Sequence, residues 1–106
     1  MRIRAGRITV STSGSSIQFT GQSDIDNSMR LLWVQFRGDP DNSNDVFVGD
    51  ADVSVNTGWS LENDDSVGII LPLRELVGGK GSLDPSSLWF DATTNGEKID
   101  YFAIFE

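Results

Sequence analysis

The stretch Val46–Pro72, VFVGDADVSVNTGWSLENDDSVGIILP, decides the fold. Short apolar pieces alternate there with turn residues, and no residue of the stretch is suited to catalysis. Gly49-Asp50 and Thr57-Gly58 read as turns between short strands, with Trp59 and Leu61 anchoring the corner. The acidic run ENDD then hands the chain into a strand in which Val67, Ile69, Leu71 and Leu73 alternate. Strands this short, between turns this frequent, belong to a sandwich edge.

Working outward, the same grammar recurs. RIRAGRITV reads as a strand with a bulge or kink at Gly6, where the alternation slips. STSGSS then turns into SIQFT, with Ile17 and Phe19 on one face, which predicts a first hairpin. GQSDIDNS has no period and reads as a loop. MRLLWVQFR is the most apolar segment, with Leu32, Val34 and Phe36 on one face and Met29, Leu31 and Trp33 on the other. Apolar residues on both faces predict a central strand covered on both sides, or one whose outer face meets a partner. GDPDNSND is a polar turn. A short helical turn is expected at Arg74–Val77, ended by Gly78 and Gly79. LWFDA and KIDYFAIF flank Asn95-Gly96, a pair typical of a hairpin turn. The strand spacing predicts an all-β fold, either an antiparallel β-sandwich of jelly-roll type or a small β-barrel. Residues 1–106 form one domain, and residues 1–23 are its basic N-terminal strand or hairpin.

Composition narrows the chemistry. The 106 residues include no Cys and no His, which removes disulfides, thiolate metal sites and the commonest general base. The net charge of −8 is uneven, +3 over residues 1–23 and −11 over the rest. An acidic body repels phosphate backbones, so nucleic acid is not an expected partner. No apolar run reaches membrane-spanning length, and MRIRAGRITV lacks the apolar stretch of a signal peptide, so synthesis in the cytoplasm of a host cell is expected. Arg2, Arg4 and Arg7 could dock on an acidic neighbour. On an exposed edge strand they would also discourage aggregation.

The sharpest local pattern is DPDNSNDVFVGD. Asp39, Asp41, Ser43, Asp45 and Asp50 stand at positions 1, 3, 5, 7 and 12 of a calcium-loop count. Asn44 replaces the usual glycine and the flanks are not helices, so a solvated acidic turn is the plainer reading, and no cofactor is expected. Asp64-Asp65, or Glu97 with Asp100, are the acid pairs open to a glycosidase reading, but such a pair must face across a cleft, which spacing cannot show. STSGSS has no partner to activate a hydroxyl, and GGKGS lacks the spacing of a phosphate-binding loop. No catalytic residue is assigned and the chain reads as a non-enzyme.

The aromatic residues point elsewhere. Trp89-Phe90 and Tyr101-Phe102 are consecutive, so one ring of each pair must leave the core. Trp33, Trp59, Trp89 and Tyr101, with Arg2, Arg4 and Arg7, are the candidate interface residues. They predict a homo-oligomer, a trimer by preference.

From Val46 onward the sequence resembles small structural proteins of tailed bacteriophages. The residues that carry the resemblance are Phe47-Val48-Gly49-Asp50, Val53-Ser54, Asn56-Thr57-Gly58-Trp59, Leu61 and Asp65-Ser66-Val67. The finish is Leu88-Trp89-Phe90-Asp91-Ala92 followed by Asn95-Gly96-Glu97-Lys98-Ile99. ENDD and the insertion RELVGGKGSLDPSS depart from the pattern, and residues 1–45 lie outside it. The resemblance implies a β-sandwich virion component located on the capsid surface. Its function would be that of a capsid decoration (cement) protein bound to the major capsid protein or other virion proteins. The alternative is a tail or fibre component acting as a carbohydrate-binding β-sandwich, with Trp59 or Trp89 stacking on sugar rings.

Overall fold

The computed structural model describes residues 2–21, 25, 28–62, 69–71 and 84–106. They form β1 (Arg2–Val10), β2 (Ile17–Gln18), β3 (Leu31–Gly38), β4 (Val46–Gly49), β5 (Trp59–Leu61), β6 (Ile69–Leu71), β7 (Trp89–Ala92) and β8 (Glu97–Phe105). One-turn 3-10 helices at Phe19–Gly21 and Pro85–Ser87 follow β2 and precede β7. The strands make two antiparallel sheets, ordered β1-β8-β3-β6 and β2-β7-β4-β5. That order, with successive strands passing from one sheet to the other at every connection but β4–β5, is a jelly roll. The fold is therefore an open sandwich and not a closed barrel.

The core follows from strand alternation. β8 sends Ile99, Tyr101, Ala103 and Phe105 inward, β3 sends Leu31, Val34 and Phe36, and β7 sends Phe90 and Ala92. Phe19, on the turn after β2, enters between the sheets. Its ring meets Phe36, Phe90 and Tyr101 edge-on at 5.6, 5.6 and 5.1 Å, and Phe36 meets Phe90 at 5.3 Å. Edge-to-face contacts set positive ring edges against negative faces, so this cluster adds orientation to the hydrophobic gain.

Several expectations are corrected. β1 pairs with β8 without a break through Gly6, so there is no bulge there. Glycine is needed because a Cβ at position 6 would lie 2.8 Å from the Tyr101 hydroxyl oxygen. The irregularity sits in β3, between Leu31 and Trp33. It brings Leu31 onto the core side with Val34 and Phe36 and leaves Trp33 outside, which regroups the two faces expected of that strand. β2 pairs with β7 and not with β1, and β7 and β8 lie in different sheets. Neither expected hairpin exists. Both are corners where the chain changes sheet.

The corners hold each other. Ser13 N–H donates to Asn95 Oδ1 at 2.7 Å, Ser13 Oγ donates to the carbonyls of Ala92 and Thr93, and Gly14 N–H donates to Asp91 Oδ1 at 3.0 Å. The β4–β5 connection is a true hairpin with a structured loop. Val53 is buried in it, and a Cβ on Gly58 would come within 2.6 Å of Val53 Cγ2 and 2.8 Å of Phe47 Cβ. The loop can fold over the sheet at that position only with glycine. The expected helical turn at Arg74–Val77, the alternating residues Val67 and Leu73, and most of GQSDIDNS and ENDD lie outside the described residues.

Candidate functional site

Alternation that sends Ile99, Tyr101 and Ala103 inward sends Lys98, Asp100, Phe102 and Ile104 to the outer face of the first sheet. The register places Ile3 and Trp33 on either side of Ile104, Ala5 and Gln35 on either side of Phe102, and Arg7 and Arg37 on either side of Asp100. The outer face thus carries two rows that are largely apolar and one that is ionic. Trp33 and Phe102 meet edge-on at 6.0 Å. Ile3 remains 55% exposed and Phe102 43% exposed. These are large apolar surfaces to leave in water, at about 25 cal/mol per Å².

The ionic row is ordered. Arg7 Nε donates to Asp100 Oδ1 at 2.9 Å and Arg37 Nε donates to Asp100 Oδ2 at 3.2 Å, so one carboxylate bridges two guanidinium groups. Arg7 Nη2 also lies 2.7 Å from Asp39 Oδ2, a contact of charge without an aligned hydrogen bond. The hydrogen bond that Arg7 donates to Asp100, then the charges of Asp100 and Asp39, raise the Arg7 pKa above its ordinary value. A depression of about 530 Å³ lies over this end of the face, lined by Ala5, Arg7, Gln35, Arg37, Asp100 and Phe102 among others.

The aspartates of the calcium-loop count are not brought together. Asp39 is buried and accepts from Asp41 N–H at 2.9 Å besides facing Arg7. Ser43 N–H donates to both carboxylate oxygens of the buried Glu97, at 3.1 and 3.0 Å. Asp45 Oδ2 accepts from Ser60 Oγ, and Asp50 Oδ1 accepts from Asp52 N–H. Among the described residues no three acidic side chains converge on a point where a metal ion would sit. The loop is instead fastened by Asn42, whose side-chain amide donates to Lys98 C=O and accepts from Lys98 N–H, both at 2.7 Å. Asn42 does for Lys98 what a neighbouring strand residue would do.

The structure disperses the candidate interface residues. Arg7 and Trp33 share the outer face just described. Arg2 is exposed, and Arg4 is half-buried with Nη1 donating to Ile3 C=O at 3.1 Å. Trp89 is half-buried on the outer side of the other sheet, between Gln18 and Gly49. Trp59 begins edge strand β5 and is 68% exposed, with Val55 of the neighbouring loop 45% exposed. Tyr101 is corrected, because it is 7% exposed against Phe19 in the core and offers no contact surface. Its neighbour Phe102 is the outward ring of that pair. The signal was present in the parity of Ile99, Ala103 and Phe105, which puts odd positions inside. Asn42 carries no motif that would have marked it, and Glu97, set beside Asp100 by its spacing, is instead buried and accepts from Ser43 N–H.

Comparison of the chain with protein-family models, with curated proteins and with solved structures returned no match.

Proposed function

We propose that this chain is a non-enzymatic structural protein that assembles with copies of itself through the outer face of the β1-β8-β3 sheet. The assembly then decorates a larger protein shell. One observation carries the reading: Ile3, Trp33, Phe102 and Ile104 form an apolar, partly aromatic strip beside the Arg7–Asp100–Arg37 row. An apolar centre with a charged rim is the ordinary anatomy of a subunit joint. The net charge of −8 keeps free copies apart until such a face engages.

The shell is taken to be that of a tailed bacteriophage, on the strength of the Val46–Ile99 resemblance. The jelly roll is compatible with this, since it serves in viral coat proteins, and equally in lectins. Several weak contacts offered by one oligomer would add to a strong attachment. A trimer is the expected state.

Light scattering on the purified chain, with and without EDTA, tests the reading alongside the Phe102→Asp variant. The expected result is an oligomer whose mass ignores EDTA and falls to that of a monomer in Phe102→Asp with the fold intact. A monomeric parent chain, or an oligomer indifferent to Phe102→Asp, overturns it. A second reading, as a carbohydrate-binding module, draws on Trp59, the most exposed aromatic ring of the described residues, at the start of edge strand β5 beside a structured loop. Glycan binding lost in Trp59→Ala would favour it.

A further inference from the structure

β1 is nine residues long and, among the described residues, pairs on one side only, with β8. The register determines which of its backbone groups are free. Lys98 directs both its N–H and its C=O to Asn42, away from β1. Even-numbered residues of β8 therefore face β3, and their partners Thr9, Arg7, Ala5 and Ile3 occupy the non-hydrogen-bonded sites of the β1–β8 ladder. Those four residues point their N–H and C=O groups at the open edge. There Ile3 C=O is met by the side chain of Arg4, and the other groups have no protein partner among the described residues.

An open edge of this length is a template for another strand. Arginine on an edge can simply guard it, and Arg7 is fully occupied by Asp39 and Asp100. Arg2 and Arg4 differ. Neither has a carboxylate within ion-pair distance among the described residues, in a chain whose net charge is −8. Arg4 Nε is shut off from solvent without a hydrogen-bond partner, an arrangement that costs free energy in the unbound chain. The N-terminal half of β1 is thus unpaired along its outer backbone edge and uncompensated in its charge at Arg2 and Arg4.

We propose that the free edge of β1 accepts an extended acidic segment of a partner protein as an added strand. Main-chain hydrogen bonds form at Ile3, Ala5, Arg7 and Thr9. Carboxylates of the segment meet Arg2 and Arg4 on one face, and its alternate apolar side chains continue the row of Ile3 and Ile104 on the other. A second copy of β1 is the wrong occupant, because it brings three more arginines and no carboxylate, leaving Arg2 and Arg4 of both copies uncompensated. This attachment goes beyond the self-assembly reading and stands without it.

The test is amide hydrogen exchange by NMR on the whole chain, at low salt, with a short capped peptide alternating valine and glutamate. The expected result is slowing of about tenfold or more at Ile3, Ala5, Arg7 and Thr9. Arg4, Gly6 and Ile8, already bonded to β8, should not change. The same peptide with lysine in place of glutamate should have no effect, and Ala5→Pro, which removes an edge N–H without touching the β8 ladder, should abolish the effect. Arg4→Glu should weaken it. Absence of slowing, slowing without that alternation, or equal slowing by the lysine peptide overturns the proposal. Slowing that grows with protein concentration and needs no peptide also overturns it, by assigning the edge to a second copy. Phe102→Asp should leave the edge pattern intact, so failure of the edge and failure of the outer face are separable.

Discussion

At the scale of single residues, the sandwich depends on close approaches that only particular side chains permit. Gly6 lets the Tyr101 ring lie against β1, and nothing larger fits without displacing that ring. Gly6→Ala should lower stability by about 1–3 kcal/mol through overpacking. In a Tyr101→Phe background, where the hydroxyl nearest the new methyl is gone, the same change should cost less. Denaturant midpoints of the four variants give the coupling, and equal costs in both backgrounds would mean that Tyr101 is not what requires the glycine. Asn42 illustrates the opposite case, a residue retained for what it donates and accepts. The buried carboxylate of Asp91 behaves similarly, accepting from Gly14 N–H and Ala92 N–H at the sheet corner. In each case a polar group is buried because the backbone beside it would otherwise lack a partner.

At the scale of elements, the short turns set how strands enter the sheets. The 3-10 turn Pro85–Ser87 is capped by Asp84, whose Oδ1 accepts from Ser86 N–H at 2.9 Å, and it delivers the chain to β7. That backbone hydrogen bond is the main reason the Asp84 pKa lies below its ordinary value of 3.8, with Arg30 assisting from 4.0 Å. A carboxylate whose folded pKa is depressed contributes stability above its unfolded pKa and loses it as pH falls through the folded value. The advantage of the parent chain over Asp84→Ala, read as a urea midpoint, should therefore be constant near neutral pH. It should shrink as pH drops below 3.8. A gap that persists at lower pH would show that the cap acts through shape and not through charge. The corners at Ser13–Gly14 and Ala92–Asn95 work by the same local chemistry, but they join two sheets instead of two paired strands.

At the scale of the whole molecule, the jelly roll places the first and last strands side by side along their full length. β8 lies between β1 and β3, so its inner residues are covered only while both neighbours are present. Ile8 and Val10 are completely buried, whereas Arg2, Ile3 and Ala5 are exposed. Deleting residues 1–4 should leave a cooperative thermal transition close to that of the parent chain. Deleting residues 1–10 should abolish it, because β8 then loses its partner and the core loses two side chains. A cooperative transition in the longer deletion, followed by circular dichroism, would show that the remaining strands suffice. The same geometry decides where interaction is available. The second sheet turns Trp59 outward at one edge, and the first presents the strip around Phe102 together with the open side of β1.

The chain's own pattern was enough to determine an all-β fold, sandwich or small barrel, and the pairing of the strands into two sheets decided for the sandwich. Alternation in KIDYFAIF and the turn residues of GDPDNSND and VGDADVSVNTG act over a few neighbours, and local geometry alone decides them. The strand positions of β1, β4, β7 and β8 were legible for that reason. Alternation also implied an outward aromatic at Trp89-Phe90 and Tyr101-Phe102, while the β3 irregularity hid that Leu31 and Val34 share a face. Pairing was not legible. Asn95-Gly96 makes the same turn whether the next strand folds back beside the last or crosses to the opposite sheet, and the choice depends on long-range burial of Phe19, Phe90 and Tyr101. The calcium-like spacing of Asp39 to Asp50 was likewise a count along the chain, whereas the direction of each carboxylate was set by Arg7, Ser60 and the loop backbone. Sequence periodicity fixes which side chains share a face within one strand, and only the tertiary structure decides which strands lie beside it and hence what that face and edge present.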